Sequence, residues 1–175
     1  EPTFTGTGKK IRDKMIKKGS DYSSKDIGEA YSEDRLKLYK KVILPALEKG
    51  KWVFQERGVI SSLVYQPLMK EPYSTEEIKE LKGNSFCLKH APDLLVITVV
   101  KPEVVIKRLD KREKQDDSFF EELDFQKKID HSYQSCWLKE MFEKNGSKVV
   151  YLDTNPPKTV EDTKTKIVEL FEDIL

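Results

Sequence analysis

Hydrophobic residues recur along this chain in two rhythms. In the first they fall three or four apart among charged residues. Residues 8–18 carry Ile11 and Met15 among lysines, and residues 33–49 carry Leu36, Leu38, Tyr39, Val42, Ile43, Ala46 and Leu47 before stopping at Gly50. Such spacing predicts amphipathic helices, the second with a glycine stop. In "STEEIKELKGN", Ser74 is followed three residues later by Glu77, a capping box that opens another helix. Further helices are expected over 102–114, 119–144 and 158–173. The second rhythm is a set of short apolar runs: Trp52-Val53-Phe54, the stretch 94–100, and Val149-Val150-Tyr151-Leu152. The middle run does not alternate with polar residues, as expected of a parallel strand covered on both faces. Strands alternating with helices predict an α/β fold with right-handed crossovers.

Composition narrows the reading. The 175 residues suit one domain, and 37% hydrophobic against 36% charged residues is polar but globular. A net charge of +1 argues against a general nucleic-acid or membrane surface. Cys87 and Cys136 are too few for a disulfide framework and fit a reducing, cytoplasmic compartment. His90 and His131 lack a neighbour at zinc-ligand spacing, and no apolar run is long enough to span a membrane. The first residue is Glu1 rather than Met, so a processed chain or a fragment is expected.

Several groups of residues have chemistry to offer. "TFTGTGKK" at 3–10 suggests a phosphate loop, but with Gly8-Lys9 as the Gly-Lys pair the first glycine would fall on Thr3 and the hydroxyl on Lys10. A glycine-rich turn into a basic helix is the simpler reading. After the run at 52–54 come Glu56 and Arg57, then Ser61, Ser62 and Tyr65. In parallel sheets ligands sit beyond strand carboxyl ends, where a carboxylate can hold Mg²⁺ or its water and a guanidinium can hold a phosphate. A surface ion pair is the alternative. Glu33-Asp34-Arg35 is expected to open the helix at 33–49, with the two acids favoured by the helix dipole. Arg35 with Tyr31 is a possible base-recognition set. Lys107, Arg108, Lys111, Arg112 and Lys114 are either a phosphate-neutralising cluster or a solvated helix face. "KREKQDD" at 111–117 is expected to be mobile.

Taken in order, these stretches resemble the thymidylate kinase family over nearly the whole chain. The family's "REPGGTPxGExIR" resembles "EPTFTGTGKKIRD" at 1–13, and "LLFAADR" resembles "EAYSEDR" at 29–35. "VIxPALExGKWVICDRYxxSSxAYQG" is similar to "VILPALEKGKWVFQERGVISSLVYQP" at 42–67, and "LxPDLTxxLDVxPExAxxR" to "HAPDLLVITVVKPEVVIKR" at 90–108. The resemblance implies phosphoryl transfer from Mg-ATP to dTMP, giving dTDP and ADP. It implies a three-layer P-loop kinase fold, a parallel sheet with helices on both faces. It implies that Pro2 borders the acceptor, Tyr31 stacks on thymine, Arg35 donates to the base carbonyl and Arg57 binds the acceptor phosphate. Glu56 would stand near Mg²⁺, with Ser61, Ser62 and Tyr65 on the acceptor-side helix. Arg108, Lys111 and Arg112 would lead into a lid at 109–121, with Asn155 and Pro156 on the adenine side. A homodimer through the helix at 33–49 is implied as well.

The chain departs from the pattern in four places. No Walker A loop precedes "TFTGTGKK", so the fold is expected to lack its first two strands and residues 1–175 alone are expected to be inactive. Thr3-Phe4 replaces a glycine pair, Glu56-Arg57-Gly58 stands where the family has Asp-Arg-Tyr, and Asp117 replaces a lid arginine. These departures leave two alternatives: a kinase of another nucleoside monophosphate, or a non-catalytic nucleotide-binding relative.

Overall fold

A computed structural model of the chain describes residues 2–17, 19–111 and 122–174. Its residues form two compact units, Glu1–His90 and Ala91–Leu175.

The first unit is helical. Helix α1, Gly6–Lys10, continues into a π-helical turn, Ile11–Met15, close to the expected helix. Helix α2 runs from Ser24 to Leu38, followed by a π turn at Tyr39–Ile43 and the short helix α3, Leu44–Leu47. The helix expected at 33–49 therefore begins earlier, at Ser24, about two and a half turns before residue 33. Ser23 starts it: its hydroxyl accepts from the Asp26 backbone N–H at 3.1 Å, while the Asp26 carboxylate accepts from the Ser23 N–H at 3.0 Å. This reciprocal cap satisfies donors that the first turn leaves open. Glu33, Asp34 and Arg35 consequently lie inside α2, and the helix dipole does not explain the two acids. The π turn ends two residues before Pro45, whose ring has no room for the carbonyl of Lys41 and no N–H to offer it. Gly50 takes a left-handed φ of 68° and ends the segment, as expected.

Helices α4, Val59–Tyr65, α5, Thr75–Glu80, and α6, Lys82–Lys89, complete the unit. The Ser74–Glu77 capping box forms as expected, with the Ser74 hydroxyl accepting from Glu77 N–H at 3.2 Å. Residues 52–54 do not form a strand. Trp52 and Phe54 are exposed, and the segment is extended without regular strand pairing. Ile11, Met15 and Ile27 form one buried cluster, with Ala30, Tyr31 and Met69 packed against it. Where α6 meets α2, Gly83 lets the backbones touch: a Cβ there would overlap the carbonyl of Ser32.

The second unit is a two-stranded parallel sheet with helices. Strand β1, Leu94–Val99, pairs with β2, Lys148–Asp153, in a register from Leu94 opposite Lys148 to Val99 opposite Asp153. Both strands fall where the apolar runs place them. Between them come α7, Pro102–Leu109, α8, Leu123–Tyr133, and α9, Cys136–Lys144; α10, Val160–Glu172, follows β2. The single helix expected at 119–144 is thus two. Ser135 takes an extended backbone and its hydroxyl donates to the Ser132 carbonyl at 2.6 Å, closing one helix before the next opens. Helix α7 accounts for 102–109 of the expected 102–114, and residues 112–121 lie outside the described residues. Leu138 and Phe142 of α9, with Ile97 and Val149 of the strands, are buried. The fold is α/β in class, rich in helix with a small parallel sheet.

Candidate active site

The first unit carries Pro2, Tyr31, Arg35, Glu56, Arg57, Ser61, Ser62 and Tyr65, and the second carries Arg108, Lys111, Asn155 and Pro156. Arg112, and with it the acid Asp117, lies outside the described residues.

Arg35 is the most buried large side chain among them, with 1% of its surface exposed. Its guanidinium donates to Asn84 Oδ1, to Ser62 Oγ at 3.2 Å and, at the longer 3.4 Å, to the Gly58 carbonyl. Asn84 is held in turn by its own donation to the Ile78 carbonyl at 2.7 Å. A buried cation is tolerable only when its protons find acceptors. Arg35 therefore ties α2 to α4 and α6, and it fixes Ser62 in place.

The neighbouring Asp34 is also buried. It accepts from the Thr3 N–H at 2.8 Å and the Thr3 hydroxyl at 2.7 Å. Arg12 donates to the carbonyls of Pro2 and Thr3 and lies under the ring of Phe4, 4.4 Å from its centre. These contacts hold residues 2–4 across α2. They also explain Gly8. A Cβ on Gly8 would overlap the backbone and hydroxyl of Thr3, so the glycine of "TFTGTGKK" makes room for the protein's own chain. The glycine at position 8 is thus explained by packing.

Arg57 follows the extended stretch after Gly50 and is exposed, with a left-handed φ of 66°. Few residues other than glycine adopt that region without strain, and such strain concentrates at functional sites. The guanidinium sits 5.5 Å from the centre of the Tyr65 ring, within reach of cation–π attraction. Glu56 beside it is exposed. Among the described residues no cluster of three or more His, Cys, Asp or Glu could hold a metal ion. One exposed carboxylate still suits Mg²⁺, which is commonly held by one or two carboxylates and substrate phosphates.

The sequence did not single out Gln66, which directly follows α4. It is 3% exposed, and neither its amide oxygen nor its amide nitrogen has a hydrogen-bond partner among the described residues. Leaving such groups unpaired costs about 1–3 kcal/mol each. Gly28 makes space for the amide: a Cβ there would stand 2.9 Å from the Tyr73 ring and 3.3 Å from Gln66 Nε2. Burial, and then the nearby carboxylate of Glu29, push the Tyr73 hydroxyl above its usual pKa. The signal available in the sequence was one amide closing the apolar-and-serine stretch "VISSLVYQ".

In the second unit two bonds join α7 and its approach to the loop after β2. Arg108 of α7 donates to the Thr154 carbonyl at 2.8 Å, and Asn155 Oδ1 accepts from the Lys101 N–H at 2.8 Å. Both contacts lie beyond the carboxyl ends of β1 and β2. Pro156 is joined to Pro157 by a cis bond, and Lys111 is exposed.

Comparison with known proteins gives these two groups of residues a common context. A family model described as Thymidylate kinase matches residues 1–167. A thymidylate kinase of Caldicellulosiruptor saccharolyticus is 30% identical over 177 aligned residues, covering 100% of this chain and 80% of that protein. A probable thymidylate kinase of Pyrococcus abyssi is 34% identical over 97% of this chain and 78% of its own length. A thymidylate kinase of Thermoanaerobacter pseudethanolicus is 34% identical over 76% of this chain, a stretch that spans 64% of that protein. With matches that run from the Pro2 turn through β2 and its following loop, the chain belongs to the thymidylate kinase family.

Proposed function

We propose that the unit Glu1–His90 holds the acceptor nucleotide and that the unit Ala91–Leu175 supplies donor-side loops, within phosphoryl transfer from ATP to dTMP. The reaction is that of the family, yielding dTDP and ADP, and family membership favours dTMP over other acceptors. Such transfer needs little covalent chemistry from the protein. It relies on positioning and on neutralising charge.

The unpartnered amide of Gln66 carries the acceptor assignment. Thymine presents an N–H donor between two carbonyl acceptors, and a side-chain amide offers one acceptor and two donors at matching spacing. Arg35 of α2 holds Ser62 of α4, four residues before Gln66, and Gly28 on the helix that also carries Tyr31 faces the Gln66 amide, which supports reading this as the base end. Arg57 would take the acceptor phosphate with Tyr65 and Ser61 beside it and Pro2 bordering the site. Glu56 would bind Mg²⁺, which neutralises phosphate charge when present. Arg108, Lys111, Asn155 and Pro156 would serve ATP, with Arg112 in the same role. A three-layer parallel sheet, a cytoplasmic location and a homodimer through residues 33–49 belong to this reading. Exposed Val42 and Leu47 support the dimer, and the balanced charge supports the lack of nucleic-acid and membrane partners.

Calorimetry with dTMP and thymidine on the full natural chain tests it. Gln66→Leu should weaken both ligands about five-fold or more, and Arg57→Ala should weaken dTMP alone. Unchanged dTMP affinity in both variants would remove the acceptor assignment.

A further inference from the structure

The loop after β2 is organised around Asp153. One carboxylate oxygen accepts from the Asn155 backbone N–H at 2.9 Å and from Asn155 Nδ2 at 2.7 Å. The other accepts from Lys158 Nζ at 2.6 Å. These bonds, the lysine's first, hold the Asp153 pKa down at about 2, so the group is an anion at neutral pH. An anionic carboxylate can only accept, so the Asn155 atom facing it is the NH₂. The amide oxygen is then turned toward Lys101, whose backbone N–H can only donate, and the 2.8 Å contact forms. Lys101 is the residue that precedes α7. At the other end of this short helix, Arg108 returns to the loop by its bond to the Thr154 carbonyl. The Thr154 N–H also continues the β1–β2 ladder by donating to the Val99 carbonyl at 2.8 Å. The segment 153–155 and α7 thus close into one ring of bonds at the carboxyl edge of the parallel pair, the edge where such sheets receive ligands.

We infer that Asp153 is a positioning residue for the donor nucleotide, acting by locking the Asn155 amide so that the loop after β2 and α7 present one fixed surface to the base of ATP. The inference rests on the donor-side reading above. Two features separate it from a surface ion pair. Exposed lysine–carboxylate pairs contribute little, so Lys158 is dispensable in this account. The amide lock requires an acceptor at position 153 but not a charge.

The test uses steady-state kinetics of the full natural chain. Asp153→Ala should raise KM for ATP about five-fold or more while KM for dTMP and kcat stay near their original values. Asp153→Asn, which keeps an acceptor oxygen, should recover most of that loss, and Lys158→Met should leave KM for ATP unchanged. An unaltered KM for ATP in Asp153→Ala overturns the inference. So does an equal rise for both substrates with a lowered melting temperature, because that is a folding effect. So does a Lys158→Met variant that matches Asp153→Ala. Photolabelling of the unaltered protein by 8-azido-ATP separates the two layers. Label within 154–157 upholds the donor-side reading whatever the variants do, and its absence there removes both the reading and the inference.

Discussion

Gly83 gives its backbone N–H to the Ser32 hydroxyl at 2.9 Å, at a crossing so close that Gly83 has no room for a methyl group beside the Ser32 carbonyl. In an ordinary helix interior, Gly→Ala gains about 1 kcal/mol. Here the sign should reverse. Gly83→Ala must push α6 away from α2, at a cost of roughly 3 kcal/mol by comparison with overpacked cores. Thermal melting checks this, and a melting temperature equal to or above that of the parent would contradict the crossing.

Asn84 and Arg35 form a second tie between the same helices. Asn84→Leu keeps the branched shape but takes an acceptor from a buried guanidinium and a donor from the Ile78 carbonyl. The expected loss is about 3 kcal/mol. Adding Arg35→Met removes the charge that was left short, so the double variant should be more stable than Asn84→Leu alone. Urea unfolding of the four proteins in the cycle measures the coupling.

Under the proposed acceptor assignment, Arg57 would trade stability for phosphate binding. Its left-handed backbone suits glycine, so Arg57→Gly should stabilise the fold by about 1 kcal/mol. The same change should abolish the preference for dTMP over thymidine. A variant that gains stability while keeping that preference would show that phosphate binding lies elsewhere.

Acid should unfold the protein through its caps. The carboxylates of Asp26, Glu77 and Asp162 sit below their usual pKa because Ser23, Ser74 and Thr159 donate to them, and Asp153 lies lowest, at about 2. A depressed folded-state pKa contributes stability above the unfolded value, and that stability is lost as pH falls through the folded one. Melting temperature should therefore hold above pH 5 and decline progressively toward pH 2. Asp162→Asn should make the decline shallower, and a slope unchanged by that substitution would count against the cap at α10.

Much of the α/β pattern was legible because its signals are local. The apolar runs at 94–100 and 149–152 marked the two strands, although only Ile97 and Val149 of them are buried and β1 is not covered on both faces as expected, and Ser74 with Glu77 announced its helix. The start of α2 was hidden because only Ile27, Ala30 and Tyr31 mark an apolar face before residue 33, and the cap uses Asp26 where Glu or Gln is the commoner sign. Placing Glu33, Asp34 and Arg35 at a helix opening followed from that error. The run at 52–54 has strand chemistry, but pairing is a property of two segments and cannot be read from one. Asp34, Asn84 and Gln66 share this origin: Asp34 depends on a partner 31 residues away, Asn84 on one 49 away and Gln66 on burial, none of which spacing reveals.

The packing of Gly8 under Thr3 sets a limit on protein engineering. Restoring the letter of a Walker motif by placing Gly at position 3 and Ser at position 10 would not create a nucleotide cradle. The volume that phosphates would need is already filled by the main chain that Asp34 and Arg12 hold in place. A designer would have to release that clamp first, and with it the fold of residues 2–4 across α2. The likeness of "TFTGTGKK" to a phosphate loop is therefore a resemblance of spelling, and directed evolution toward ATP binding at this turn should find no productive single step.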